Sequence, residues 1–450
     1  MELVIKNGVL VGPVSHYEAD LGIEGGRIVQ IAEKLDPGDA EVLDANGLYV
    51  LPGVIDLHTH LGGGAADDFE SGTRAAARGG VTCIVDCATQ AAGKTILESV
   101  EARRAEAADK ALVDYALHAA PSIWTEAVRR EIRDLVNEGI TTFEVQMAPG
   151  CGPAAAFEDG ALHDLLHETA KFGATVIARP GNAGVAAAVA AQLRQNGLAD
   201  ARKLGDVFSP AAEAEGVRRV AALAEMVSGN LIAGPISGRD AAAALAEARG
   251  RGVSVTGETS PHYLLRGLLG EARPELATSP PLRDPSECET LWHALACGEL
   301  ELVSSGHRAR PRELPAGKDV LELETGLPGL ELLLPLLFSE GVRRGRLTMS
   351  RLSLVLATQP AMVAGLFPTK GILQVGSDAD IALLDPERDW TVTAAGLGTA
   401  AGWSPYEAVS LRGLVTATIV RGKVVCLGEE FRVGPGHGAY VRRRPLEEVY

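Results

Sequence analysis

Eight short apolar runs alternate with Ala-rich, helix-like stretches through the middle of this 450-residue chain. The runs fall at 54–60, 82–86, 114–119, 142–147, 175–179, 231–236, 254–258 and 302–305. Helix-like segments lie between them, among them 69–78, 97–108, 126–138, 162–172, 214–227, 240–249 and 287–296. Strands separated by helices pair in parallel, and eight such units over roughly 250 residues suit a closed (β/α)8 barrel. A doubly wound open sheet is the competing α/β arrangement, but no G-x-G-x-x-G follows the first run. Two further helical stretches, near 329–343 and 349–358, follow the eighth run.

The two ends have a different texture. Residues 1–52 read as short strands joined by tight turns such as Asn7-Gly8 and Gly25-Gly26. Strand texture returns after Pro368, at 379–384, 390–392, 415–420 and 423–426. The expectation is a small β-sandwich domain built from both ends (1–52 and 368–450) beside a barrel spanning 53–367. The basic tail Arg442-Arg443-Arg444 reads as a solvated or oligomer-contacting end.

Composition narrows the class. With 59 acidic against 42 basic residues, net charge is −17, which opposes non-specific binding to nucleic acid or an anionic membrane. No run is long and apolar enough for a membrane span. The start reads as a strand rather than a signal peptide. Six scattered cysteines form no disulfide framework and suggest a reducing cytoplasm.

The first run carries the sharpest chemical signal. It ends Asp56-Leu57-His58-Thr59-His60, and residues i and i+2 of a strand face the same way. His58 and His60 therefore project together, either as half of a metal site or as ordinary strand-end histidines. His163 and His167 share a helix face without a third ligand nearby and read as solvated. His262 reads as structural, and Arg308-Ala309-Arg310-Pro311-Arg312 as a solvated loop or an anion-attracting one.

Several blocks in order resemble the cyclic amidohydrolases: dihydropyrimidinase (hydantoinase), allantoinase and dihydroorotase. They are Pro52-Gly53-Val54-Ile55-Asp56-Leu57-His58-Thr59-His60, Gly79-Gly80-Val81-Thr82, Glu258-Thr259-Ser260-Pro261-His262-Tyr263-Leu264, Ser279-Pro280-Pro281-Leu282-Arg283 with Trp292, and Gly376-Ser377-Asp378-Ala379-Asp380. The resemblance implies a two-metal site at the C-terminal mouth of the barrel, where activated water attacks a ring amide carbon. It implies ligands from two strand-1 histidines, a carboxylated lysine, two more histidines and a strand-8 aspartate.

Carried over by position, His58 and His60 match. Glu144 stands at the lysine, Arg179 and Pro235 at the later histidines, Gly306 at the aspartate and Pro149 at a substrate-orienting tyrosine. A glutamate falls short of a carbamate by roughly 3–4 Å, at about 1.5 Å per bond. A guanidinium has no lone pair for a metal. The expectations are therefore an Arg179–Glu144 ion pair, with the Arg179 charge standing in for a second metal. At most one zinc ion is expected, on His58, His60 and Glu144, and no two-metal centre. His307 is a further candidate base or ligand. The functional expectation is a cyclic-amide hydrolase scaffold with a remodelled site, or a non-catalytic structural, regulatory or ligand-binding homologue. The substrate class is a small cyclic amide, and the resemblance implies a dimer or tetramer, with a protein partner open.

Overall fold

The computed structural model describes residues 1–149, 156–270, 273–313 and 319–446. All eight apolar runs are strands. In chain order they are Val54–Thr59, Val81–Thr89, Asp114–Ala120, Thr142–Gln146, Thr175–Arg179, Asn230–Ala233, Val255–Thr259 and Leu302–Val303. They pair in parallel and in sequence order. The circle is brought round by a parallel bridge between Thr59 and His307, with the His60 amide donating to the His307 carbonyl at 2.9 Å. Side-chain caps start several of the helices that follow the strands. Phe69–Arg78 starts on an Asp68–Ser71 capping box, and Ile96–Ala108 on Thr95–Glu98. Ala183–Gln195, a helix not singled out in the sequence, is capped by Asn182.

Both chain ends meet in a second, mixed sheet of nine strands. Tyr49–Pro52 joins the halves, pairing in parallel with Leu3–Val11 and antiparallel with Ile381–Thr391. The one-residue step from Pro52 to Val54 passes the chain from sheet to barrel. Gly53 is required there, because a Cβ would lie 2.0 Å from Thr82 Oγ1.

The basic tail is not solvated at Arg443, which is 3% exposed beneath the barrel. Its Nη1 donates to Thr142 Oγ1 at 2.8 Å, that hydroxyl contacts His118 Nδ1 at 2.5 Å, and His118 Nε2 reaches the Leu57 carbonyl at 2.8 Å. The carbonyl fixes the His118 proton on Nε2, so Nδ1 accepts from Thr142 and the ring is neutral. Burial, and then the Arg443 charge, hold its pKa down at about 3. The charge run alone carried no hint that one of three arginines turns inward.

His307 is also placed by the fold. Gly306 adopts φ +62°, a left-handed turn that a side chain disfavours. After it, His307 is 1% exposed and points at Asp67, Nε2 to Oδ2 3.1 Å. Its Nδ1 accepts from the Gly329 and Leu330 amides, so the proton sits on Nε2, toward the carboxylate.

Two close approaches shape the barrel mouth. Gly216, within the helix Pro210–Val227, backs onto Gly181, and a Cβ there would meet the Gly181 nitrogen at 2.4 Å. A Cβ on Gly181 would in turn lie 2.8 Å from that of Ala148. The loops after the fourth and fifth strands are thereby stacked against one helix.

Gly216→Ala should lower stability by about 1–3 kcal/mol despite alanine's better helix propensity, because the obstacle is backbone. Chemical denaturation checks this. Asp67→Asn should cost about 2 kcal/mol at pH 7. Burial opposes the Asp67 charge, but hydrogen bonds from the His307 ring, the Thr399 hydroxyl and the Ala400 amide outweigh it and hold the carboxyl at about 2 instead of 3.8. Such a group stabilises the fold above its unfolded pKa. The gap between variant and wild type should therefore be full above pH 4 and narrow as pH falls toward 2.

Candidate active site

The site is assembled at the C-terminal ends of the first, fourth, fifth and seventh strands. His58 and His60 leave the first strand together as expected, their Nε2 atoms 3.2 Å apart. Two nitrogens bound at 2.0–2.1 Å to one tetrahedral ion lie about 3.3 Å apart, so the spacing fits a shared metal. Glu144, on the fourth strand, completes the set. One ligand atom from each of the three residues lies within 4.8 Å of the others. This is the group of three metal-ligand side chains found among the described residues.

The residues present therefore fit a bound cation, and their protonation agrees. Burial first, and then the Arg179 charge, push the His58 pKa well down. Burial also holds His60 at about 4, against a partial offset from Glu144. Both imidazoles are neutral at pH 7 and keep a lone pair for a ligand. Burial alone would raise the Glu144 pKa, but the Arg179 guanidinium overcomes it and holds the carboxylate ionised.

Arg179, at the end of the fifth strand, pairs with Glu144 as the sequence suggests. Nε donates to Oε1 and Nη2 to Oε2, both at 3.1 Å. Each carboxylate oxygen has two acceptor positions, so this fork leaves room for a metal on Glu144. The sequence reading missed the second anion. Glu258, at the end of the seventh strand and 2% exposed, accepts from Arg179 Nη1 at 2.6 Å. The same Nη1 reaches the Gly234 carbonyl at 3.1 Å. Glu258 Oε2 also stands 3.8 Å from His58 Nδ1, across the ring from the ligand nitrogen. An outer carboxylate there favours the tautomer that frees Nε2. Burial raises the Glu258 pKa, against the pull of Arg179. The missed signal was a carboxylate closing an otherwise unremarkable strand, inside a block noted only for its resemblance.

The remaining expected positions are less involved. Pro235 follows a cis Gly234–Pro235 bond and, like Gly306, brings no side-chain donor. His307 faces Asp67, outside the pocket, so the structure does not bring it together with His58, His60, Glu144 and Arg179. His262 is buried, 2.9 Å from the Tyr406 hydroxyl. Arg310 is 4% exposed, its Nη2 on the Glu275 carbonyl at 2.6 Å, so this part of the basic loop is not solvated.

A cavity of ≈ 610 Å³, counted with its open mouth, lies above this floor. Gln146, Pro149, Asn182, Phe208, Ser209, Ser279, Pro280 and Arg283 contribute to its walls. Arg283 is held by Glu213 at 2.7 Å and by Ser237 Oγ at 2.7 Å, a closed buried network that fixes one wall. Among the described residues no helix is long and apolar enough to cross a membrane.

Comparison with known proteins agrees with this architecture. The Amidohydrolase family model matches residues 49–195. A D-hydantoinase of Geobacillus stearothermophilus is 35% identical over 458 residues, covering 98% of this chain and 97% of that protein. The crystal structure of dihydropyrimidinase from Brevibacillus agri superposes with a TM-score of 0.94 at 34% identity, over 99% of each chain. An L-hydantoinase (dihydropyrimidinase) from Arthrobacter aurescens gives a TM-score of 0.91 at 29% identity, over 98% of this chain and 100% of that one. End-to-end similarity to hydantoinases overturns the expectation of a scaffold remodelled away from their function, and with it the non-catalytic alternative. Agreement along the whole chain outweighs the few altered positions. The chain belongs to the D-hydantoinase/dihydropyrimidinase family of amidohydrolases.

Proposed function

We propose that the chain is a hydrolase of small cyclic amides of the hydantoin and dihydropyrimidine type. The observation that carries this reading is the convergence of His58, His60 and Glu144, beside Arg179, on the floor of one pocket at the barrel mouth. Net reaction adds water across one ring amide: the C–N bond breaks, a C–O bond forms, and the ring nitrogen leaves with a proton. His58, His60 and Glu144 would hold a divalent ion, zinc by their nitrogen and oxygen donors. Such an ion supplies Lewis-acid activation of water and of an amide carbonyl.

The chain's own side chains do the rest. Burial keeps both imidazoles neutral, and Glu258 orients His58 from behind. Arg179 fixes the Glu144 carboxylate by a two-point fork, so its free electron pairs point the same way in every molecule. It also lines the pocket, where a fixed positive charge favours an amide oxygen that gains negative charge. Apolar walls at Phe208, Pro149 and Pro280 suit a ring bearing an apolar substituent.

Protein purified without added metal or chelator should contain a divalent ion and should open hydantoin, 5-phenylhydantoin or dihydrouracil. His58→Ala and His60→Ala should each weaken metal affinity by more than about 100-fold, since even losing an outer partner costs 10–100-fold. Elemental analysis and chromatography of the carbamoyl product check both. No turnover by metal-replete protein on these substrates, on allantoin or on dihydroorotate would overturn the reading. Arg179→Met should lower stability by about 3–5 kcal/mol, because two buried carboxylates lose their counter-charge. Urea denaturation of the two proteins measures that gap.

A further inference from the structure

One polar atom of the pocket has no role in the arrangement above. Gln146 lines the cavity, and its Oε1 is buried with no hydrogen-bond partner among the described residues. A buried acceptor left unpaired is costly, and native proteins rarely carry one without use. Gln146 sits two residues beyond Glu144 on the fourth strand, so the two side chains leave on the same face. Its backbone carbonyl is taken by the Phe157 amide at 2.8 Å, which holds the strand end in place. Two other neutral polar groups of the wall are engaged. Asn182 Oδ1 caps the Val185 amide and its Nδ2 donates to Glu215, while Ser209 Oγ caps the Ala212 amide.

We propose that Gln146 is a specificity-determining residue whose Oε1 accepts a hydrogen bond from the ring N–H that is not part of the bond being cut. The proposal rests on the cyclic-amide reading of the site. Positions two apart on a strand are separated by about 6.6–6.8 Å, enough for a five- or six-membered ring to reach from Glu144 to Gln146. Hydantoin and dihydrouracil are opened at N3–C4, which leaves N1–H as the donor on the far edge. A side chain built to accept an N–H discriminates sharply against a ring that lacks it, because the acceptor is then stranded. A water in place of the ring N–H would satisfy the oxygen without selecting a substrate.

The test compares hydantoin with 1-methylhydantoin. For the protein as purified, kcat/KM should favour hydantoin by roughly tenfold or more, mainly through KM. Gln146→Leu, close in shape, should lose roughly tenfold on hydantoin and little on 1-methylhydantoin, so the preference collapses. Gln146→Glu keeps an acceptor oxygen and should keep the preference. Calorimetric titration of both rings into chelator-treated protein should show the same preference, independent of turnover. Equal handling of the two rings by the unaltered protein, or a preference that survives Gln146→Leu, overturns the proposal while leaving the hydrolase reading intact. Preferential binding of hydantoin, together with no turnover by the metal-replete protein, supports the role of Gln146 and overturns the hydrolase reading instead.

Discussion

A single guanidinium holds the barrel mouth together. Arg179 reaches Glu144 with two donors and Glu258 with a third, tying the ends of the fourth, fifth and seventh strands. Its side chain is 13% exposed and its partners 7% and 3%, so the three charges interact with little water between them. Removing one member would strand the others, which makes the cluster an all-or-none unit. Two carboxylates on one guanidinium leave an anionic surplus beside two neutral imidazoles. Such a site is prepared electrostatically for a cation before any arrives, and the 3.2 Å gap between His58 and His60 gives that cation a place.

Much of this was legible in the sequence. Strand runs separated by helices specify a parallel barrel through periodicity and connection length alone, and each run became a strand. The His58–Thr59–His60 spacing gave the paired imidazoles, because strand geometry leaves no choice of face. Glu144 and Arg179 were expected to pair because neighbouring strands end at the same mouth and each buried charge needs the other.

The misses have local physical causes. Glu258 stayed hidden because a carboxylate at a strand end looks like any solvated residue until the barrel closes over it. His307 was read as a site residue from its place after the eighth strand. One left-handed glycine at 306 redirects it to Asp67, and backbone sign is not written in residue identity. Arg443 turned inward because the tail returns along the barrel base, where the Ala439 carbonyl and Val441 amide pair with Tyr115. The functional reading failed differently. Position-by-position chemistry cast doubt on hydantoinase function, whereas similarity across the whole chain to a D-hydantoinase and a dihydropyrimidinase supports it.

The central claim is that His58, His60 and Glu144 share one metal ion while Arg179 keeps its grip on Glu144. Anomalous diffraction at the zinc edge, from crystals grown with zinc, tests it most directly. The account predicts a zinc peak within about 2.0–2.2 Å of two imidazole Nε2 atoms and one Glu144 oxygen, with the Arg179 fork unbroken. A zinc-replete crystal with no peak at this floor, or with Glu144 bound to Arg179 alone, would contradict it.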